Sequence, residues 1–156
     1  MSAIFPELIA INLEAENFED AIRKGGKLFY DNGYVKDTYI DAVVAREKIY
    51  PTGLQLKDIA VAMPHTDPQH VNKAAVCVIK LSKPVTFLHM GEDVNNKDAI
   101  KVEAEMLFMM SILNPNEQIE TLQKVLSVFQ NPDVVNEFKN ATKKEELYEV
   151  AKKHIG

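Results

Sequence analysis

A histidine directly after a proline, at the end of an apolar run, is where this chain could do chemistry. Ile59-Ala60-Val61-Ala62-Met63-Pro64-His65-Thr66, followed by Asp67, begins with the residue types of a short strand and then turns polar at once. Proline locks its own φ and biases the residue before it toward extended geometry, so the His65 imidazole stands at a strand end on a stiff backbone. Imidazole is the side chain suited to accept and release a charged group near neutral pH. Its neutral nitrogen can attack phosphorus, and the phosphoramidate formed stays reactive toward the next nucleophile. Such a transfer needs in-line positioning and stabilisation of spread negative charge, and no cofactor when donor and acceptor are both protein side chains. A guanidinium or a second imidazole would hold the phosphoryl oxygens. Arg46, His70, Asn or Gln side chains and loop amides are available. The residues alone leave two readings of His65, a nucleophile or a packed side chain.

Other chemistries fit less well. His65, His70, Asp67 and His89 could supply zinc ligands on paper, but their spacing matches no standard metal signature, and no metal is expected. Cys77, the lone cysteine, lies in Ala75-Val76-Cys77-Val78-Ile79, where a small core residue is expected. The chain has only six glycines and no Gly-rich phosphate loop, so kinase or NTPase chemistry and its cofactors are not expected. His89 ends an apolar run and either faces the surface of His65 or caps a strand. His154 lies in the C-terminal tail, where no specific role is expected.

The 156 residues suit one domain, residues 1–156, with a substantial core. A net charge of −5, with Arg23 and Arg46 the only arginines, argues against a nucleic-acid or anionic-membrane surface. No window approaches 18 continuous apolar residues, and the N-terminus lacks a signal-peptide pattern, so a cytoplasmic protein without membrane insertion is expected.

The elements that must position His65 follow from periodicity. Asn17-Phe18-Glu19-Asp20 opens an amphipathic helix through Ala21, Ile22, Leu28 and Phe29 that stops at Asn32-Gly33. Asp37 reads as the N-cap of a second helix carrying Ile40, Val43 and Val44, with Arg46-Glu47 near its end. Ile59 to Met63, Ala74 to Leu81 and Val85 to Met90 read as strands, with Lys83-Pro84 a turn between the last two. Ala99 to Leu113 could be a buried strand or a buried helix by pattern, and the sharp stop at Asn114-Pro115 favours a strand. Helical period returns with Ile119, Leu122, Val125, Leu126 and Phe129, and again after Pro132 with Val134, Val135 and Phe138. Thr142-Lys143-Lys144-Glu145 reads as a capping box for a final helix with Leu147 and Val150. Helices, then strands, then helices predict an α/β sandwich with a central mixed sheet flanked by helices.

Two stretches carry a resemblance. Arg46-Glu47-Lys48-Ile49-Tyr50-Pro51-Thr52-Gly53-Leu54, followed by the run ending in Pro64-His65, resembles the EIIA component, fructose–mannitol type, of the phosphoenolpyruvate-dependent sugar phosphotransferase system. The resemblance covers nearly the whole chain. It implies a phosphotransferase whose histidine, here His65, takes a phosphoryl group on Nε2 from the phosphocarrier HPr and passes it to EIIB. EIIC would be engaged only indirectly, and the sugar would not be touched. Arg46 matches the arginine beside the phosphate. Two positions depart from the family pattern: Lys57-Asp58 stand where a glycine is usual, and Gln118 stands where mannitol-type members carry a second histidine. Gln118 can hydrogen-bond a phosphate but brings no positive charge. The glutamine, the Tyr-Pro-Thr-Gly-Leu wording and His70, five residues past His65, look like the galactitol-specific branch. His70 then either takes part of the second histidine's role or is a loop residue. Met63, Leu88 and Met90 are either core or an apolar rim for docking partners. An EIIA-like module that regulates a kinase, transporter or transcription factor is the alternative reading.

Overall fold

Five strands make one mixed sheet in the computed structural model, which describes residues 3–156. In chain order the elements are β1 (Ile4–Leu13), α1 (Phe18–Asp31), α2 (Tyr39–Glu47), β2 (Gly53–Gln55), β3 (Ala60–Ala62), β4 (Ala75–Leu88), β5 (Lys101–Ser111), α3 (Pro115–Val128), α4 (Pro132–Asn140) and α5 (Lys144–His154). Across the sheet the order is β1-β4-β5-β3-β2. β1 runs parallel to β4, β5 antiparallel to β4 and parallel to β3, and β2 antiparallel to β3. The sandwich with a mixed central sheet, expected from the sequence, is the observed architecture.

Helices cover both faces. One core gathers Ile22 and Phe29 of α1 and Val43 of α2 with Cys77 and Ile79 of β4 and Leu107 and Met109 of β5. The other gathers Val125 of α3, Phe129 at its C-cap, Val135 and Phe138 of α4 and Leu147 of α5 with Val76, Val78, Met106, Phe108 and Met110. Successive strand residues therefore enter opposite cores. That is why Met106 to Met110 reads as an unbroken apolar run: a strand buried on both faces has no polar side to show. Gly25 lets α1 lie against the sheet, since a Cβ there would come within 2.6 Å of the Ile79 side chain and closer still to Met109.

Several boundaries differ from the expectations. A strand, β1, precedes the first helix where the sequence reading places none. Pro6 weakens its strand pattern, and an edge position tolerates the missing N–H. The two expected strands around Lys83-Pro84 are one strand, β4, whose pairing with β5 shifts register between Lys80 and Val85. Pro84 bends the ladder there rather than turning the chain. Asp37 is not the cap of α2; Thr38 precedes the helix and gives no side-chain cap bond. The expected capping box is displaced as well: Thr142 Oγ1 donates to Glu146, and Lys143 holds the cap position of α5. α1 starts at Asn17 as read, its side chain accepting the Asp20 N–H, and α3 carries a full capping box between Asn114 and Glu117.

Candidate functional site

β3 is short because it ends at Met63-Pro64, where proline removes a ladder donor. The Pro64 carbonyl still accepts the Met110 N–H at 3.0 Å, so the backbone leading to His65 is pinned to β5. Tyr39, fully buried, donates from its hydroxyl to the Met110 carbonyl at 2.7 Å and fixes the same strand end. His65 thus sits beyond the carboxyl end of a central strand, the usual place for sites in open α/β sheets.

The imidazole is 6% exposed and asymmetric in its bonding. Nδ1 lies 2.9 Å from the Met63 carbonyl. A carbonyl only accepts, so the proton of the neutral ring is on Nδ1 and the lone pair on Nε2. Nε2 is buried without a hydrogen-bond partner. Burial lowers the affinity of this ring for a second proton, the Met63 carbonyl opposes that, Arg46 lowers it further and Asp67 raises it, with a net shift below the ordinary value of 6.5. The ring is held neutral, which is the nucleophilic form.

Arg46 lies in the last turn of α2, where the helix dipole favours a cation. Its guanidinium carbon is 5.2 Å from the centre of the Tyr50 ring, and its Nη1 is 3.8 Å from Asp67. Its Nε is the other buried, unpartnered side-chain atom. Each such orphan costs roughly 1–3 kcal/mol unless something meets it. A lone pair and an N–H⁺ donor left open within one electrostatic neighbourhood suit an electrophilic group that carries anionic oxygens.

Behind the site stands Glu47, whose two oxygens accept from the Thr52 N–H at 2.7 Å and the Thr52 Oγ1–H at 2.8 Å. Burial pushes this carboxyl up to about 7, against the two Thr52 bonds and Arg46, which pull it down. Thr52 in turn accepts the Met63 N–H at both its carbonyl and its Oγ1, at 3.3 and 3.2 Å. Gly53 allows the close approach of β4, since a Cβ there would stand 2.6 Å from the Leu88 carbonyl oxygen. The turn after β2 closes with the Leu56 N–H on the Ile59 carbonyl at 2.9 Å. Lys57 and Asp58 hold no positive φ in it, so the absent glycine is not missed.

His70, Gln118 and His89 share none of these hydrogen bonds. His70 ends a 3₁₀ turn, Pro68–His70, where Nδ1 is 2.8 Å from Thr38 Oγ1 and Nε2 is 3.4 Å from the Gln69 amide nitrogen. These bonds tie the turn to the start of α2 and not to His65. Gln118 is half-buried on α3 and makes no hydrogen bond to His65 or Arg46 among the described residues. His89 is half-buried with Nδ1 2.9 Å from the Met90 carbonyl, beside Gly53. Met63 is core rather than rim. His154, expected idle, pairs with Glu137 at 2.8 Å and joins α5 to α4. The sequence reading quoted Glu47 and Thr52 but gave them no part in the chemistry. Their signal was a carboxylate five residues before a threonine, across a helix end. No group of three or more metal-ligating side chains occurs among the described residues.

Comparison with known proteins gives the chain a family. Residues 2–154 match the family model described as phosphoenolpyruvate-dependent sugar phosphotransferase system, EIIA 2. The galactitol-specific EIIA component of Escherichia coli K12 is 29% identical over 103 residues, covering 66% of this chain and 65% of that protein's length. The mannitol-specific phosphotransferase enzyme IIA component of Geobacillus stearothermophilus is 27% identical over 147 residues, covering 88% of this chain and 97% of the relative. Among solved structures, the mannitol enzyme IIA of Escherichia coli in complex with phosphorylated enzyme IIB superposes with a TM-score of 0.73 at 23% identity. It covers 96% of this chain and 97% of that one.

Proposed function

The chain belongs to the EIIA 2 family of the phosphoenolpyruvate-dependent sugar phosphotransferase system, and on that premise we propose that it is a phosphotransferase carrying a phosphoryl group on His65. One observation carries the reading: a buried neutral imidazole with its proton held on Nδ1 and its Nε2 unpartnered, in the field of Arg46. In the step, the Nε2 lone pair forms an N–P bond as the donor's bond to phosphorus breaks and its electron pair returns to the donor. The His65 ring keeps its Nδ1 proton, and the positive charge developing on the ring is shared with the Met63 carbonyl. Arg46 meets the phosphoryl oxygens, giving up a 3.8 Å contact with Asp67 that is weak at this exposure. Because Nε2 is covered, its neighbours, the half-buried Arg46 among them, shift to admit the donor. Gln118 is the neutral group nearest in role to a second phosphate ligand, and His70 holds the loop that carries Asp67.

The donor in this reading is HPr and the acceptor a cysteine of EIIB, with residues 1–156 working as one domain in the cytoplasm. Among the described residues no helix is long and apolar enough to cross a membrane. The relative that is galactitol-specific and the Gln118 and His70 pattern favour galactitol or a related polyol as the sugar served. The test is incubation with phosphoenolpyruvate, enzyme I and HPr. An acid-labile, alkali-stable phosphoryl group on the wild type, absent from His65→Ala, is expected. Equal labelling of both proteins, or of neither, contradicts the reading. Onward transfer to an EIIB cysteine separates service in transport from a purely regulatory role.

A further inference from the structure

We propose that Glu47 is a positioning residue for His65, acting through Thr52 and the backbone of Met63. The inference rests on His65 being the phosphoryl acceptor, and it adds a cause for which nitrogen of His65 is free. Three links make the chain, each a hydrogen bond between buried groups. Both carboxylate oxygens of Glu47 are taken by Thr52, one by its N–H and one by its hydroxyl. With its hydroxyl proton given to Glu47, Thr52 Oγ1 can only accept, and together with the Thr52 carbonyl it takes the Met63 N–H. The orientation of the Met63 peptides then presents the Met63 carbonyl to His65 Nδ1 at 2.9 Å.

Glu47 itself does not reach the imidazole by any of these bonds, so it is not a catalytic residue. Burying a carboxylate is unfavourable, and a fold keeps one when it holds something in place. Here both of its oxygens point at one residue, and that residue has no other side-chain partner besides the Met63 N–H among the described residues. A glutamine in this position has one accepting oxygen and a donating NH₂. It cannot offer each Thr52 donor its own oxygen, and its NH₂ would compete for Thr52 Oγ1. The hydroxyl would then be free to turn, and the register between Thr52 and Met63 would loosen. The second-histidine position being Gln118 makes this matter more, because a glutamine brings no second imidazole and no positive charge to assist His65.

The experiment compares wild type, E47Q, T52V and T52S. Long-range ¹H–¹⁵N spectra read the tautomer of the unphosphorylated His65 ring, and phosphoryl uptake from phospho-HPr reads the consequence. Far-UV circular dichroism and cooperative melting identify the folded samples. Wild type and T52S are expected to show the Nδ1–H tautomer alone. E47Q and T52V are expected to show a mixture of tautomers and uptake slower by about tenfold, the usual size of an effect on groups that orient a reacting side chain. T52S should recover at least half of the wild-type rate. An unchanged His65 tautomer in both E47Q and T52V overturns the proposal. Since the tautomer is measured without any phosphoryl donor, that failure is distinct from a failure of wild-type His65 to be phosphorylated, which would overturn the function instead.

Discussion

The β4–β5 ladder and the β2–β3 corner are built on opposite terms. β4 and β5 are 14 and 11 residues long, buried on both faces over Ala75 to Ile79 and Met106 to Ser111, and paired on either side of one register shift. β2 and β3 have three residues each, stop at Thr52 and Pro64, and hold the buried ionisable groups Glu47 and His65 between them. Both orphaned side-chain atoms of the described residues, His65 Nε2 and Arg46 Nε, lie at this corner. The ladder supplies stability and the corner spends some of it. The contrast teaches that the site is defined by polar groups a purely structural protein would not leave open, against a frame rigid enough to keep them there.

The largest expected effect tests the frame. Phe108 of β5 is fully buried against Phe129 and Phe138, at ring distances of 5.6 and 6.2 Å. Phe108→Ala should lower stability by about 3–5 kcal/mol in urea unfolding, through lost burial and a cavity. His65 should still be phosphorylated at temperatures where the variant remains folded. A loss under 1 kcal/mol would mean that the ladder is not the frame described.

A somewhat smaller effect tests the corner. The Glu47 carboxyl is raised to about 7 in the fold from an ordinary 4.5. The folded state therefore keeps a proton that the unfolded chain releases between those values, so this group's contribution to stability falls as pH rises from 4.5 to 7. The full difference is roughly 3 kcal/mol at 1.4 kcal/mol per pKa unit. His65, shifted downward, has the opposite sign: its contribution is present above about 6.5 and is lost as pH falls. Comparing wild type with Glu47→Gln by urea unfolding at pH 5 and pH 8 removes the Glu47 carboxyl from one of the two proteins. Wild type should lose stability relative to the variant on going to pH 8, and parallel behaviour would show that the carboxyl is not buried as described.

The smallest effect is expected at His70. Its ring bonds are to Thr38 and Gln69, so His70→Ala should cost about 1 kcal/mol or less in unfolding. Phosphoryl uptake should change less than about twofold, since the proposed charge-assisted contacts to the phosphate are assigned to Arg46. A loss of tenfold or more would move His70 into the site and blur the boundary between corner and loop.

Much of this was legible before any coordinates. Pro64-His65 at the end of an apolar run points to the proposed reacting group, because proline chemistry and side-chain chemistry act locally. α1 is legible from its cap and period, α4 from Pro132 and its period, and α3 from its period alone, for the same reason. What escaped depends on contacts far apart in sequence. β1 is a strand only because β4 pairs with it, and β4 is continuous across Pro84 only because its pairing with β5 resumes at Val85 after the extra residues bulge. The proton position on His65 depends on a carbonyl two residues back, oriented by Thr52 and Glu47, whose joint effect no spacing rule spells out. His70 was ambiguous for the converse reason: five-residue spacing from His65 fixes no direction, and the 3₁₀ turn directs its ring to Thr38.

The account stands on which nitrogen of His65 takes the phosphoryl group. A protein labelled with ¹⁵N and phosphorylated through phospho-HPr can be examined by ¹H, ¹⁵N and ³¹P correlation on the imidazole. The geometry predicts phosphorus coupled to Nε2, with Nδ1 still bonded to the Met63 carbonyl. Phosphorus on Nδ1, or on any residue other than His65, would contradict it.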